Sequence, residues 1–216
     1  MIGKKIKELL ESINQDIELV AVSKTKSNND ILEAYDAGQK IFGENKVQEM
    51  TKKYEELPKD IKWHMVGHVQ SNKIKYMAPY VDLVHGIDSL KSVKILNKEA
   101  KKNNRVIKCL LQLKISDEFS KFGLSKKEIE SILNSVNTLG LKNINIAGIM
   151  TIGSFTANMN TVIEEFEKTK KIFVDLKMTF PNLKILSMGM SNDYKIAIKY
   201  GSNMIRVGSL IFGKRI

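Results

Sequence analysis

The chain has 216 residues, 43% hydrophobic and 27% charged, so it can bury a sizeable core and is not globally disordered. Its formal charge of +11 is almost all lysine, the only arginines being Arg105, Arg206 and Arg215; without arginine forks or a basic block interleaved with aromatics, no specific nucleic-acid partner is expected. No apolar run approaches the roughly 18 residues of a membrane span, the N-terminus lacks a signal-peptide apolar region, and the lone Cys109 excludes an internal disulfide. These features predict a cytoplasmic protein with no membrane partner.

In chain order, short apolar runs alternate with amphipathic stretches. A leading helix carries Ile6, Leu9, Leu10 and Ile13 on one face, ahead of a first strand over Glu18–Ser23. A helix around Ile31, Ala34 and Tyr35 is closed by Gly38, and a second strand spans Lys40–Gly43. The helix with Val47, Met50 and Leu57 stops at Pro58, and strand three covers Trp63–Gly67. Strand four is predicted over Val81–Ile87, followed by a helix with Leu90, Val93, Leu96 and Ala100; strand five spans Val106–Leu113. Ser125 and Glu128 form a capping box opening a helix whose Ile129, Ile132, Leu133 and Val136 make one buried stripe. Strand six covers Ile144–Met150, and a long helix with Phe166, Phe173 and Leu176 runs toward Pro181. Strand seven spans Lys184–Met188, a helix through Ala197 and Ile198 ends at Gly201, and strand eight covers Asn203–Val207.

Eight strands, each but the last followed by a helical stretch, predict an α/β fold with parallel pairing, closed as one (β/α)8 TIM barrel. With no linker or composition shift, residues 1–216 read as a single domain. The competing open doubly wound sheet would carry a Gly-x-Gly-x-x-Gly turn after strand one. Ser23-Lys24-Thr25-Lys26 stands there instead.

In a barrel the active face is the C-terminal end of the strands, and phosphate sites favour the loops after strands seven and eight. Ser187-Met-Gly-Met-Ser191 and Gly208-Ser209 occupy those two positions, and backbone amides with serine hydroxyls suit a phosphate dianion. Lys24 closes the first strand and shares the face of Val20 and Val22, which aims its amine at the barrel mouth. Against an apolar wall a lysine loses some of its charge and can attack an aldehyde to form a Schiff base. Arg206 lies inside the apolar run Met-Ile-Arg-Val and needs either a structural carboxylate partner or a bound ligand. His64 and His68 sit about 13 Å apart on a strand and share no metal. Cys109, beside Leu110 and Leu111, reads as a buried inert thiol, and no metal site is expected.

These residues carry a resemblance that runs nearly end to end. Leu19-Val-Ala-Val-Ser-Lys-Thr25, Phe42-Gly-Glu-Asn45 with Val47-Gln-Glu49, and Trp63-His64 with Gln70-Ser-Asn-Lys73 open it. Ile149-Met-Thr-Ile152, Ser187-Met-Gly-Met-Ser-Asn-Asp193, Arg206-Val-Gly208 and Ile211-Phe-Gly-Lys-Arg215 complete it. The chain resembles the pyridoxal 5′-phosphate (PLP) homeostasis proteins, the YggS/PROSC family, related in fold to the N-terminal barrel of alanine racemases. That resemblance implies PLP as cofactor, with Lys24 as its Schiff-base lysine. It implies that Ser187, Ser191, Gly208 and Ser209 hold the phosphate, that Arg206 stands near the pyridine nitrogen, and that Asn45 borders the ring. Three positions depart from the family pattern: Lys46 in place of tyrosine, Gly153 in place of proline, and Lys121 where a small residue often precedes the glycine. None removes an implied anchor.

The family reading further implies a monomer that supplies PLP, with PLP-dependent apoenzymes as receivers and no catalytic residues. Most PLP enzymes set an acid against the ring nitrogen to keep it protonated as an electron sink. Arginine does not give up its proton, so opposite Arg206 the sink is weak. The chain ends soon after strand eight and offers no second domain and no tyrosine base of the racemase kind. The alternative is a weak racemase-like enzyme acting on amino acids.

Overall fold

The structure is a computed structural model, and it describes residues 1–115 and 122–213. Eight parallel strands pair in chain order and close on themselves, β1 with β8, as predicted. They are β1 (Glu18–Val22), β2 (Ile41–Glu44), β3 (Lys62–His68), β4 (Leu83–Ile87), β5 (Ile107–Leu113), β6 (Ile144–Thr151), β7 (Ile185–Ser187) and β8 (Met204–Val207). Around them lie α1 (Ile2–Glu11), α2 (Asn28–Asp36), α3 (Val47–Glu56), α4 (Ile74–Met77), α5 (Leu90–Lys102), α6 (Lys126–Thr138), α7 (Met159–Thr179), α8 (Tyr194–Lys199) and α9 (Ser209–Phe212).

Strand alternation divides the apolar residues between two cores. Outward residues such as Ala21, Phe42, Trp63, Val84, Leu111, Ile149 and Ile205 pack against the helices in the larger cluster. Inward residues Val20, Val66, Leu83, Leu110, Ala147, Met150 and Met204 form a small separate cluster inside the barrel. The space above it goes to polar residues. His64, His85, Gln112, Ser187 and Arg206 are all buried.

The helices begin where local chemistry directs. The Ser125–Glu128 capping box forms at α6, and a second box, Ser27 with Asp30, opens α2. Two expectations change. The leading helix ends at Glu11, so Ile13 lies beyond it and Leu10 is left exposed. Strand eight is followed by a helix after all, the single turn α9.

Candidate functional site

Val22, the last residue of β1, is followed by a turn closed by the Lys26 amide donating to the Ser23 carbonyl at 3.0 Å. Lys24 therefore stands on that turn, not in the strand as its parity suggested. Thr25 behind it adopts φ 65°, a left-handed conformation that a β-branched residue rarely takes. Glu49 holds it there by accepting the Thr25 amide at 2.6 Å. The same carboxylate oxygen accepts from Lys53 at 2.7 Å. The buried Lys53 ammonium also donates to Glu44 at 2.9 Å and to the Ser23 carbonyl at 2.9 Å. Burial pushes the Glu44 carboxyl up, although Lys53 and Ser23 oppose it. Burial also lifts Glu49, but its hydrogen bonds to Lys53 and Thr25 outweigh that and bring it down.

The turn presents Lys24 to a cavity of about 880 Å³ at the C-terminal ends of the strands. Asn45, Ser191, Arg206, Gly208 and Ser209 line the same cavity. Six of the seven residues implied by the sequence thus share one space. On the strand-seven side, Gly189 takes φ 95°, and a side chain there would meet Ala197 Cβ at 2.5 Å. Only glycine turns the chain there so tightly against α8. Beyond it, Ser191 Oγ accepts from the Gly208 amide at 3.2 Å and the Leu210 amide at 3.3 Å. Two backbone amides and a hydroxyl thus meet between the two loops; the hydroxyl hydrogen, and the amides where they turn from Ser191 Oγ to a ligand, suit a phosphate dianion.

Ser187 is the exception. It ends β7 with its side chain turned into the barrel, fully buried, and does not line the cavity. Its Oγ accepts from the Arg206 guanidinium at 2.8 Å and lies 3.4 Å from His85 Nδ1. The expected phosphate contact is corrected accordingly: that oxygen is committed to the interior. Arg206 also donates to the carbonyls of Ser187 at 3.0 Å and Thr151 at 2.8 Å, and is 5% exposed. Burial pushes its guanidinium down to about 10, opposed by Asp193, so it remains a cation at neutral pH. Neutral oxygens, and no carboxylate among the described residues, thus take the Arg206 hydrogen bonds, which corrects the expected carboxylate partner, while its side chain still reaches the cavity wall.

Sequence reasoning missed the opposite wall, where His68, Gln112, Phe122, Ile152 and Phe155 line the cavity. His68 stacks on Phe122 with ring centroids 4.2 Å apart and faces Asp88 at 3.0 Å. It also missed His85, which lies 3.1 Å from His64. The period-two pattern His64–Val66 and Leu83–His85 was the available signal, since each histidine shares a face with an inward apolar neighbour. Among the described residues no group of three potential metal ligands occurs. Of the family departures, Lys46 precedes α3 without a side-chain cap, and a side chain at Gly153 would sit 3.2 Å from Glu165. Lys121, Lys214 and Arg215 lie outside the described residues.

Comparison with known proteins agrees with this fold. The sequence pattern of the family described as alanine racemase, N-terminal domain, matches residues 2–215. The chain is 39% identical over 211 residues to a pyridoxal phosphate homeostasis protein of Haemophilus influenzae, covering 95% of this chain and 88% of that protein. PipY of Synechococcus elongatus, solved with PLP bound, is 32% identical with a TM-score of 0.91, covering 99% of this chain and 100% of PipY. An alanine racemase from E. faecalis shares the fold at 16% identity and a TM-score of 0.76, with 99% of this chain and 58% of the racemase covered.

Proposed function

This chain belongs to the alanine racemase N-terminal domain family and, within it, to the pyridoxal phosphate homeostasis proteins, and from that premise we propose that it binds PLP at the barrel mouth and serves PLP supply without turning over a substrate. The observation that carries the reading is the convergence of the Lys24 amine, a phosphate-type donor set and the Arg206 guanidinium on a single cavity. When bound, PLP offers an aldehyde that a neutral amine captures reversibly.

Lys24 supplies that amine, held by the Lys53–Glu49 network on both sides of its turn. Ser191 and the amides of Gly208 and Leu210 hold the phosphate, with Ser209 beside them. Asn45 borders the ring. Arg206 faces the ring nitrogen as a donor that keeps its own proton, which withholds the protonation an electron sink needs. That supports a carrier over an amino-acid enzyme. PLP-dependent apoenzymes are the receivers, and the working state is a cytoplasmic monomer. No described helix is long and apolar enough to cross a membrane.

The test is direct. Purified protein loaded with PLP should acquire a visible absorbance band and should neither racemise L-alanine nor form pyruvate from it. Racemisation at roughly 1 per second or faster would restore the enzyme reading.

A further inference from the structure

Arg206 is buried, yet no carboxylate among the described residues forms an ion pair with it; Asp193 acts on it only from farther off. Three neutral oxygens take its hydrogens: the Ser187 and Thr151 carbonyls and Ser187 Oγ. A guanidinium can only donate, so Ser187 Oγ must accept and its own hydrogen must go elsewhere. His85 Nδ1, 3.4 Å away, is the one further hydrogen-bond partner that Oγ has among the described residues, and we assign the hydroxyl hydrogen to it.

The remaining directions follow. Burial, with His64 and Arg206 nearby, holds His85 well below the ordinary histidine range, so its ring is neutral. A neutral imidazole that accepts at Nδ1 carries its hydrogen on Nε2. His85 Nε2 lies 3.1 Å from His64 Nδ1, which must then accept, leaving His64 with its hydrogen on Nε2. His64 Nε2 is buried without a hydrogen-bond partner and stands 3.5 Å from Asp82 Oδ2. Asp82 immediately precedes β4, at the opposite end of the strands from the cavity, and His64 holds its carboxyl below the usual range.

We propose that His64 and His85 are positioning residues, which with Ser187 form a one-way chain of hydrogen-bond donors directed from Arg206 toward Asp82 and fix where the guanidinium sits. The inference rests on the reading that Arg206 faces the ring nitrogen of PLP. A barrel interior is ordinarily filled by branched apolar side chains. Here two histidines take that space because a buried cation needs an acceptor whose polarity cannot reverse. If His85 is lost, the Ser187 hydroxyl hydrogen has no fixed acceptor and competes with Arg206 for the same region.

Two measurements test this. In the unliganded protein, imidazole proton–nitrogen correlation spectra at neutral pH should show His64 and His85 both with hydrogen on Nε2. His85 should stay neutral as pH falls through about 6.5, where an unperturbed histidine titrates; Asp82, flanked by Lys62 and Lys108, supplies the charge facing the far end. A hydrogen on Nδ1 of either ring at neutral pH overturns the chain. In the loaded protein, His85→Leu and Ser187→Ala should each weaken PLP retention about tenfold, the size of one lost hydrogen bond to a charged group. Each should also shift the pH midpoint of the visible band. The double variant should do no more than either single change, because both break one chain. His85→Asn, whose amide oxygen can accept near the Nδ1 position, should recover the parent midpoint. Parent-like behaviour of Ser187→Ala, or effects that add in the double variant, overturns the proposal; Ser187→Ala carries this arm if His85→Leu does not fold. Should the parent protein take up no PLP at all, the functional reading fails and the imidazole spectra still decide the chain.

Discussion

Lys53 donates its buried ammonium to the carbonyl of Ser23 at 2.9 Å, one residue before Lys24. With Glu44 and Glu49 on the same cation, and Glu49 on the Thr25 amide, the residues on both sides of Lys24 answer to one charge. Lys53→Met leaves the Glu44 carboxylate buried and unpaired, a loss of about 3–5 kcal/mol. At this chain length the thermal midpoint should fall by roughly 10 °C. Adding Glu44→Gln should recover part of that loss. A change below about 1 kcal/mol by denaturant titration would show that the network braces nothing.

Borohydride reduction of the PLP-loaded protein, followed by peptide mapping, should place the pyridoxyl group on Lys24. Lys26 lines the same cavity but gives its ammonium to the Phe212 carbonyl at 3.0 Å. Label on Lys26 would assign the covalent role to the wrong side of the turn. Lys24→Ala should lose the visible band while keeping phosphate-dependent binding.

Ser191→Ala removes the hydroxyl on which the Gly208 and Leu210 amides converge. PLP retention should weaken by about 1.5–3 kcal/mol, roughly ten- to a hundredfold. Pyridoxal, which lacks the phosphate, should bind the parent far less well by equilibrium titration. Equal binding of the two compounds would place the phosphate elsewhere.

Cys109 faces the helices from mid-β5, and burial pushes its thiol up to about 12. A thiol whose folded value is raised stabilises the fold below its unfolded value of about 8.5. That stability is lost as pH climbs through the window toward 12, at up to about 1.4 kcal/mol per pH unit. Cys109→Ala should flatten this alkaline slope whatever it does to absolute stability. At neutral pH the native protein should resist thiol reagents that label the unfolded chain at once.

Gly148 on β6 has no room for a side chain, because a Cβ there would lie 1.8 Å from the Ile185 carbonyl oxygen. Gly148→Ala must push β7 away from β6, and about 3 kcal/mol of stability should go with it, the upper part of the overpacking range. Soluble protein with an unchanged melting temperature would contradict that contact.

The strand order was legible in the sequence because each βα unit announces itself locally. The runs at Trp63–Gly67 and Ile144–Met150 alternate with amphipathic stripes such as Ile129, Ile132 and Leu133. Edges were less legible: Ser23 and Lys24 continue an apolar run in sequence, yet the chain leaves β1 after Val22 because Glu49 and Lys53 bind the turn. Ser187 shows why the site was read less completely. Its neighbours Met188, Gly189, Met190 and Ser191 mark a loop suited to phosphate, and nothing local says that its own hydroxyl turns inward.

The sequence by itself determined that this chain closes a (β/α)8 barrel and that Lys24, Ser191, Gly208 and Ser209 stand at its mouth, since strand periodicity, caps and the loops after strands seven and eight are local properties. Only the tertiary structure decided what each polar group does there. The contact between Ser187 and His85 spans 102 positions, that between His64 and His85 spans 21, and that between Arg206 and Thr151 spans 55. Hydrogen-bond direction across such separations is set by which buried groups can accept and which can only donate, and that choice exists only once the barrel has closed.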